Sequence, residues 1–373
     1  MLKTALVLSG GGARGAYQAG VLQGLQQLGY ISAEQQPFDI FVGTSAGSLN
    51  CTMLAAYSDR PDLGVQEMSQ VWSRLRASQV FRTGAWAVAA NALGWARDLA
   101  LGGLLGRVSP RSLLDTGPMP RLLEQLPWGR LAANLEAGHF EALGVLATNY
   151  TTSNGEFFLQ DRGQHPLWQR VRYQVRRVPI GVPQLLASSA IPIVFPAVPW
   201  EGCYYGDGSL RNTAPLGPAI QLGAERIVAV GVREAGNPAG AARPGRPPKL
   251  ADIAGVLLDA VLLDAIEIDV QHCLRLNQLA QAPGSNFRPV EVLWLRPSQN
   301  LAHLALRLEN RIPPVVRYLL RGLGDPVASA ELASYLIFDG EYCGLLMEQG
   351  RKDVLAREAE VATFFSKTPQ ARP

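Results

Sequence analysis

Twice within the first 56 residues a short apolar run stops at glycine and gives way to a helical pattern, and this order constrains the fold more than any other feature. Residues 2–8 are apolar and end at Gly10-Gly11-Gly12; over 15–28, Ala16, Ala19, Leu22 and Leu25 then recur at helical spacing. Residues 38–42 make a second short run, cut off at Gly43, and 46–56 can continue as a helix. Strand, tight turn and helix in repetition favour parallel pairing, because parallel neighbours need a crossover connection. Further β-rich runs lie at 142–150, 156–159, 226–232 and 290–295, with helix-rich stretches at 62–135, 250–279 and from 313 to 367. The pattern predicts an α/β fold whose largely parallel sheet is covered on both faces. The stretch 236–248, rich in Gly, Pro and Ala, reads as a mobile loop thrown out from one domain, and the last few residues as frayed.

With 373 residues, 47% of them hydrophobic and 17% charged, the chain has ample material for a large core. A formal charge of +3, spread rather than striped, excludes a nucleic-acid binder held by phosphate contacts. Lysine occurs only at Lys3, Lys249, Lys352 and Lys367, so arginine carries nearly all the positive charge. A compositional bias is the plainer account, and recognition of lipid phosphate by bidentate guanidinium the sharper one. Cys51, Cys203, Cys273 and Cys343 lie far apart with no Cys-x-x-Cys pair, which suggests neither a metal site nor a disulfide framework and fits a reducing compartment. The N-terminal apolar run is too short for a signal peptide, so Met1 is expected to begin the mature protein. No stretch reaches the roughly 18 to 20 apolar residues of a membrane span. Residues 84–105 come nearest but contain Arg97 and Asp98; with Trp86 and Trp95 they suit a core or cap helix better than one lying on a membrane. The expected location is cytoplasmic, with peripheral contact at a membrane surface left open, and no cofactor or metal is expected.

Three motifs carry chemistry. Gly43-Thr44-Ser45-Ala46-Gly47 is a G-x-S-x-G sequence between a predicted strand and a predicted helix, the setting of a nucleophile elbow. There the turn lifts the serine out of the sheet, while a bare capping turn is the bland alternative. Gly10-Gly11-Gly12-Ala13-Arg14-Gly15 ends the first strand and opens the first helix. It fits a dinucleotide fingerprint, but Glu34 and Asp39 are poorly placed for the acidic residue that fingerprint needs. It fits equally an anion nest in which the Gly11 and Gly12 amides meet a tetrahedral oxyanion. Gly206-Asp207-Gly208-Ser209 reads alone as a turn, yet a desolvated carboxylate with a raised pKa is a competent base for a serine.

Together these motifs, in this order and spacing, resemble the patatin-like phospholipases, relatives of the cytosolic phospholipase A2 catalytic domain. The resemblance spans residues 3–232. It implies a three-layer α/β/α fold with a mainly parallel central sheet and a helical C-terminal extension. It also implies a histidine-free dyad acting on lipid or acyl-ester substrates, with Ser45 as nucleophile and Asp207 as general base. Gly10, Gly11, Gly12, Arg14 and Gly15 would form the oxyanion loop, with Gly43, Gly47 and Gly208 in support. Ser188-Ser189-Ala190-Ile191-Pro192 resembles a family segment that scaffolds the site. The family usually carries Gly or Ala after the Asp-Gly pair, whereas Ser209 here could hydrogen-bond Asp207 and lower its basicity. The expected organisation is one catalytic domain over 1–325 and a helical extension over 326–373 packed on it. Competing accounts are an α/β-hydrolase triad completed by His272 or His303, a nucleotide-binding oxidoreductase and a non-enzymatic lipid-binding protein. His139 and His165 precede Asp207 and suit the triad order poorly.

Overall fold

Alternating burial along β1 (Thr4–Leu8) explains the architecture in miniature: all five residues are buried, Ala5 and Val7 towards one face and Leu6 and Leu8 towards the other. A strand with both faces covered reads as a continuous apolar run, and the sheet it belongs to must have helices on each side. The computed structural model describes residues 2–83, 112–234, 260, 264–280, 288–308, 311–314, 316–317 and 326–366. The sequence readings for 84–105, the 236–248 loop and the extreme C-terminus lie outside the described residues.

The ten-stranded sheet adds β2 (Ile40–Thr44), β3 (Ala142–Asn149), β4 (Asn154–Asp161), β5 (Gln169–Arg170), β6 (Tyr173–Arg177), β7 (Val198–Trp200), β8 (Cys203–Asp207), β9 (Arg226–Val230) and β10 (Glu291–Leu295). Its order is β10-β9-β1-β2-β3-β4-β6-β5, parallel from β10 through β3, with β4 antiparallel to β3. The helices used below are α1 (Gly15–Gln27), α2 (Ala46–Ala56), α3 (Pro61–Arg74), α4 (Val182–Ser188), α5 (Asp264–Ala280), α6 (Pro326–Leu336) and α7 (Gly340–Leu355). On one face Leu6, Leu8, Phe41, Val145 and Phe158 share a core with Tyr17 and Leu22 of α1, Leu54 of α2 and Trp72 of α3. On the other, Val7, Val42, Leu146 and Ile227 pack with Leu222 and with Val270 of α5. Three layers result, as the resemblance implies.

The C-terminal helices are part of that first core. Tyr342, Leu346 and Val354 of α7 lie in the same cluster as Tyr17. The two helices touch backbone to backbone, since a Cβ at Gly20 would run into the Met347 carbonyl. The Tyr17 hydroxyl, well inside, donates to Asp353 at 3.0 Å.

Strand ends depart from the sequence pattern in an instructive way. β2 runs on through Gly43 to Thr44, two residues past its predicted end, because Gly43 keeps its place in the ladder opposite Leu8 and Val145. Strands β5 to β8 were not expected at all. β5 is exposed and β6 buries only Val175, so neither has an apolar pattern to reveal it; β4 supplies the missing definition by pairing. β8 ends at Gly206-Asp207, the start of a Gly-Asp-Gly sequence whose local preference is a turn.

Candidate active site

Two strand ends meet on one edge of β3. Its lower half pairs with parallel β2, up to Thr44 opposite Leu146. At the very next residue the partner changes, and Ala147 stands opposite Asp207 of antiparallel β8. The C-termini of β2 and β8 therefore face each other across a break in the sheet, with Ser45 emerging from one and Asp207 from the other.

Ser45 sits in the N-cap position of α2 with φ 53° and ψ −128°, a conformation strained for any residue with a side chain. The surroundings over-determine it. The Ser45 N–H donates to Ser188 Oγ at 2.9 Å, and the Ser45 carbonyl accepts from the Ser48 N–H and from its hydroxyl at 2.6 Å. Close approach explains the flanking glycines: a Cβ at Gly47 would stand 2.6 Å from the Ser9 carbonyl oxygen, and one at Gly43 2.6 Å from the Ser48 nitrogen. At Gly208 it would strike the backbone of Leu146.

Asp207 is fully buried. Its backbone is pinned on both sides, the N–H donating to the Ala190 carbonyl at 2.9 Å and the carbonyl accepting from Thr148 Oγ1 at 2.8 Å. Oδ1 accepts from the Ser209 N–H at 2.9 Å. Oδ2 is buried without a hydrogen bond of good geometry, although the Ser45 and Ser209 hydroxyls come close enough to favour its charge. Burial outweighs these contacts and pushes the Asp207 carboxyl above its ordinary range; the Ser209 N–H, then the Ser45 and Ser209 hydroxyls, oppose it.

The glycine loop arrives at the same place from β1. A Cβ on Gly10 would lie 2.9 Å from Ser209 Oγ and 3.2 Å from Ser45 Cβ, so Gly10 forms the wall beside both. Among the described residues the N–H groups of Gly10, Gly11 and Gly12 donate to no backbone carbonyl. Gly12 takes φ 55° and lies against the Tyr335 carbonyl of α6. Gly15 brings the N-termini of α1 and α2 into contact, its missing Cβ only 2.7 Å from that of Ala46. Behind the loop, Asn50 Nδ2 donates to the Gly15 carbonyl at 2.9 Å and Gln18 Nε2 to the Ser9 carbonyl at 2.8 Å; Trp72 Nε1 secures Asn50.

Arg14 belongs to this loop in sequence, but its side chain is engaged elsewhere. Its N–H donates to the Gly11 carbonyl at 3.0 Å. Its buried guanidinium donates to Ser334 Oγ at 2.6 and 2.9 Å and to Glu331 Oε1 at 2.5 Å, and lies 4.3 Å from the centre of the Tyr335 ring. Burial alone would lower the Arg14 pKa; Tyr335, Glu331 and Tyr342 more than reverse that.

A family model described as patatin-like phospholipase matches residues 6–220, a span that contains Ser45 and Asp207 alike. The chain belongs to the patatin-like phospholipase family. With the family comes the activity class, and this patatin-like protein is a lipid acyl hydrolase. A cGAMP-activated phospholipase from Pseudomonas aeruginosa (strain BWHPSA011 / Pa011) is 28% identical over 307 residues, 77% of each chain. Among solved structures, VipD from Legionella pneumophila gives a TM-score of 0.36 at 13% identity, over 96% of this chain and 67% of VipD. Human GIVD cytosolic phospholipase A2, in complex with methyl gamma-linolenyl fluorophosphonate, gives 0.40 at 12% identity, over 95% of this chain and 60% of that one.

Among the described residues no histidine of this patatin-like chain hydrogen-bonds Ser45 or Asp207. His139, His272 and His303 are exposed, and His165 Nδ1 lies 3.0 Å from Asp161. Among the described residues no group of His, Cys, Asp and Glu could hold a metal ion, and no helix is long and apolar enough to cross a membrane. Sequence reasoning missed Glu331, Ser334 and Tyr335, which carry no motif, and Tyr150. The Tyr150 hydroxyl lies over Gly206, and burial together with the Asp207 charge pushes its pKa up to about 12. The Tyr150 position at the end of β3, beside β8, was the signal available; without β8 in view it could not be used.

Proposed function

We propose that the chain hydrolyses fatty-acyl esters of lipids, phospholipids included, through a Ser45–Asp207 dyad and an oxyanion hole built from the glycine loop. One observation carries this: β2 and β8 abut on the edge of β3, so that a strained serine and a buried, incompletely satisfied carboxylate emerge face to face. Unsatisfied buried polar groups are costly, and a carboxylate kept in that condition suits a base.

In the forward step the Ser45 hydroxyl gives its proton to Asp207 Oδ2 while Oγ bonds to the ester carbonyl carbon. The negative oxygen that develops is met by amides of Gly10 to Gly12. The Ser45 amide itself is held by Ser188, so the donors are left to the glycine loop and the start of α2. Collapse breaks the bond to the alcohol, which leaves with the proton from Asp207. A water then yields its proton to Asp207 and adds to the acyl-enzyme, and collapse releases the fatty acid as Asp207 returns that proton to Ser45 Oγ. The raised Asp207 pKa strengthens the base in both halves. Arg14 enters as a strut that fixes the loop through α6, with no charge to offer the oxyanion.

An organophosphonate ester should attach to Ser45 and abolish hydrolysis of a chromogenic acyl ester, with the adduct mapped by peptide mass spectrometry. An adduct on any other serine overturns the assignment. The lipid products, profiled by mass spectrometry, then define head-group and chain preference.

A further inference from the structure

A second chemistry lies between the β5–β6 hairpin and the loop that follows Asp207. There a cavity of about 250 Å³ is lined by Arg170, Arg172 and Arg211 together with Trp168, Tyr173 and Asn212. Neighbouring arginines show what is unusual about these three. On β6, Arg176 is paired with Glu156 at 3.1 Å and with Glu201, and Arg177 with Asp161 at 2.6 Å. Arg170, Arg172 and Arg211 have no carboxylate partner within salt-bridge reach among the described residues. Arg170 does feel the charge of Asp269, a carboxyl that burial pushes above its ordinary range against the Leu216 N–H at 2.8 Å, His272 and Arg170, but the two form no salt bridge. Three guanidinium groups around one cavity repel one another unless an anion joins them.

Two further features mark the hairpin side of the cavity. Tyr173 lines it and packs against the core below, with its Oη buried and without a hydrogen-bond partner. Arg172 occupies the hairpin turn with φ 56°, where glycine or asparagine would be unstrained, while the turn is held by the Gly155 N–H on the Arg172 carbonyl at 2.9 Å.

From this geometry we infer that the cavity binds a phosphate-bearing anion, gripped by Arg170, Arg172 and Arg211 at a site separate from Ser45. Guanidinium forks match phosphate oxygens in pairs. The volume is below the roughly 300 Å³ at which drug-sized sites begin, so it suits a compact phosphate ester. The site also touches the catalytic frame. Asn212 donates to Thr44 Oγ1 at 3.3 Å, next to Ser45, and Arg211 ends the short turn that begins at Asp207.

The source of the phosphate, a soluble ester or a lipid head group, is separable by experiment. Full-length Ser45→Ala protein, which consumes no probe, is titrated calorimetrically with inorganic phosphate and with glycerol 3-phosphate. It is also sedimented with phosphatidylcholine vesicles with and without phosphatidylglycerol. The same measurements are made after adding Arg170→Gln, Arg172→Gln and Arg211→Gln; two of these side chains are exposed, so folding is expected to survive and is checked by circular dichroism. Binding of the soluble probes should weaken at least about tenfold in the arginine variant, the usual scale for hydrogen bonds to a charged group. Soluble binding that depends on the arginines, with vesicle sedimentation unchanged, assigns a soluble ester. Arginine-dependent sedimentation confined to phosphatidylglycerol vesicles assigns a head group. Equal binding by both proteins, or none to any probe or vesicle, overturns the inference. Because binding is read directly, its failure leaves the hydrolytic dyad standing; and if the dyad fails, the titrations with inorganic phosphate and glycerol 3-phosphate, which carry no acyl ester to cleave, still stand.

Discussion

Two buried charges belong to the segments that meet around Ser45, Arg14 of the glycine loop and Asp207 at the end of β8, and the protein treats them in opposite ways. The Arg14 guanidinium is shared among Glu331, Ser334 and Tyr335. The Asp207 carboxylate has one secured oxygen and one that is buried without a well-formed hydrogen bond. A buried charge with its partners in place acts as an anchor, and losing a partner is costly. A buried charge left partly unsatisfied keeps a perturbed pKa, which is what a proton-transfer group needs. The first should therefore report mainly in stability and the second mainly in rate.

The largest effect tests the second half. Asp207→Asn keeps the shape but cannot take the serine proton, so kcat should fall at least about 10³-fold. Removing a charge from a fully buried site should leave the melting temperature unchanged or raise it. Its counterpart is a set of His139→Ala, His165→Ala, His272→Ala and His303→Ala variants, each expected to keep activity within about tenfold after allowance for stability. One folded histidine variant as inactive as Ser45→Ala would replace the dyad by a triad.

Next comes the glycine loop. A Cβ at Gly11 would lie 2.6 Å from Val232 Cγ2, so Gly11→Val should displace the amides and lower kcat at least about 10²-fold. Full turnover in folded protein would remove the loop from the mechanism. Arg14→Met tests the anchor. It strands the partners on α6 and should cost about 3 to 5 kcal/mol of stability, read by urea unfolding. Glu331→Gln, at a partly exposed position, should cost less. If Arg14→Met proves as stable as the parent, the contrast between the charges fails.

The smallest effect is a shift in pH. Asp207 must be ionised to act, so kcat/KM should fall as pH drops through its raised pKa. Ser209→Ala removes a hydroxyl that lowers that pKa, and the acid limb should move to higher pH with little change at the plateau. A shift to lower pH would contradict the arrangement. Stability runs the other way: the folded protein holds this proton more tightly than the unfolded chain. The Asp207 contribution is therefore fully present below the unfolded value near 3.8 and is lost as pH rises through the folded one.

Legibility differed along the chain for physical reasons. Ser45 was readable because an elbow is a local object, with strand, glycine, serine, glycine and helix adjacent in sequence. The glycine loop was readable for the same cause, though its two uses, nucleotide or oxyanion, were not separable without the strand beside it. Asp207 enters the sequence reading as a base only through the family resemblance, since Gly-Asp-Gly taken alone prefers a turn and the β8 strand that presents it has no apolar alternation. Arg14 shows the limit most clearly. Its place in the motif was plain, whereas the direction of its side chain depended on Ser334, 320 residues away.

By itself, then, the sequence determined the α/β alternation, the two glycine turns and the position of the serine proposed as nucleophile, because turn chemistry and apolar period act over a few residues. Only the tertiary structure decided that β8 continues the edge where β2 stops, that Ser188 takes the Ser45 amide, and that α6 holds Arg14. Those outcomes rest on register and burial between segments far apart in the chain. A hydrogen bond or a desolvated charge acquires its energy from neighbours that local sequence does not name.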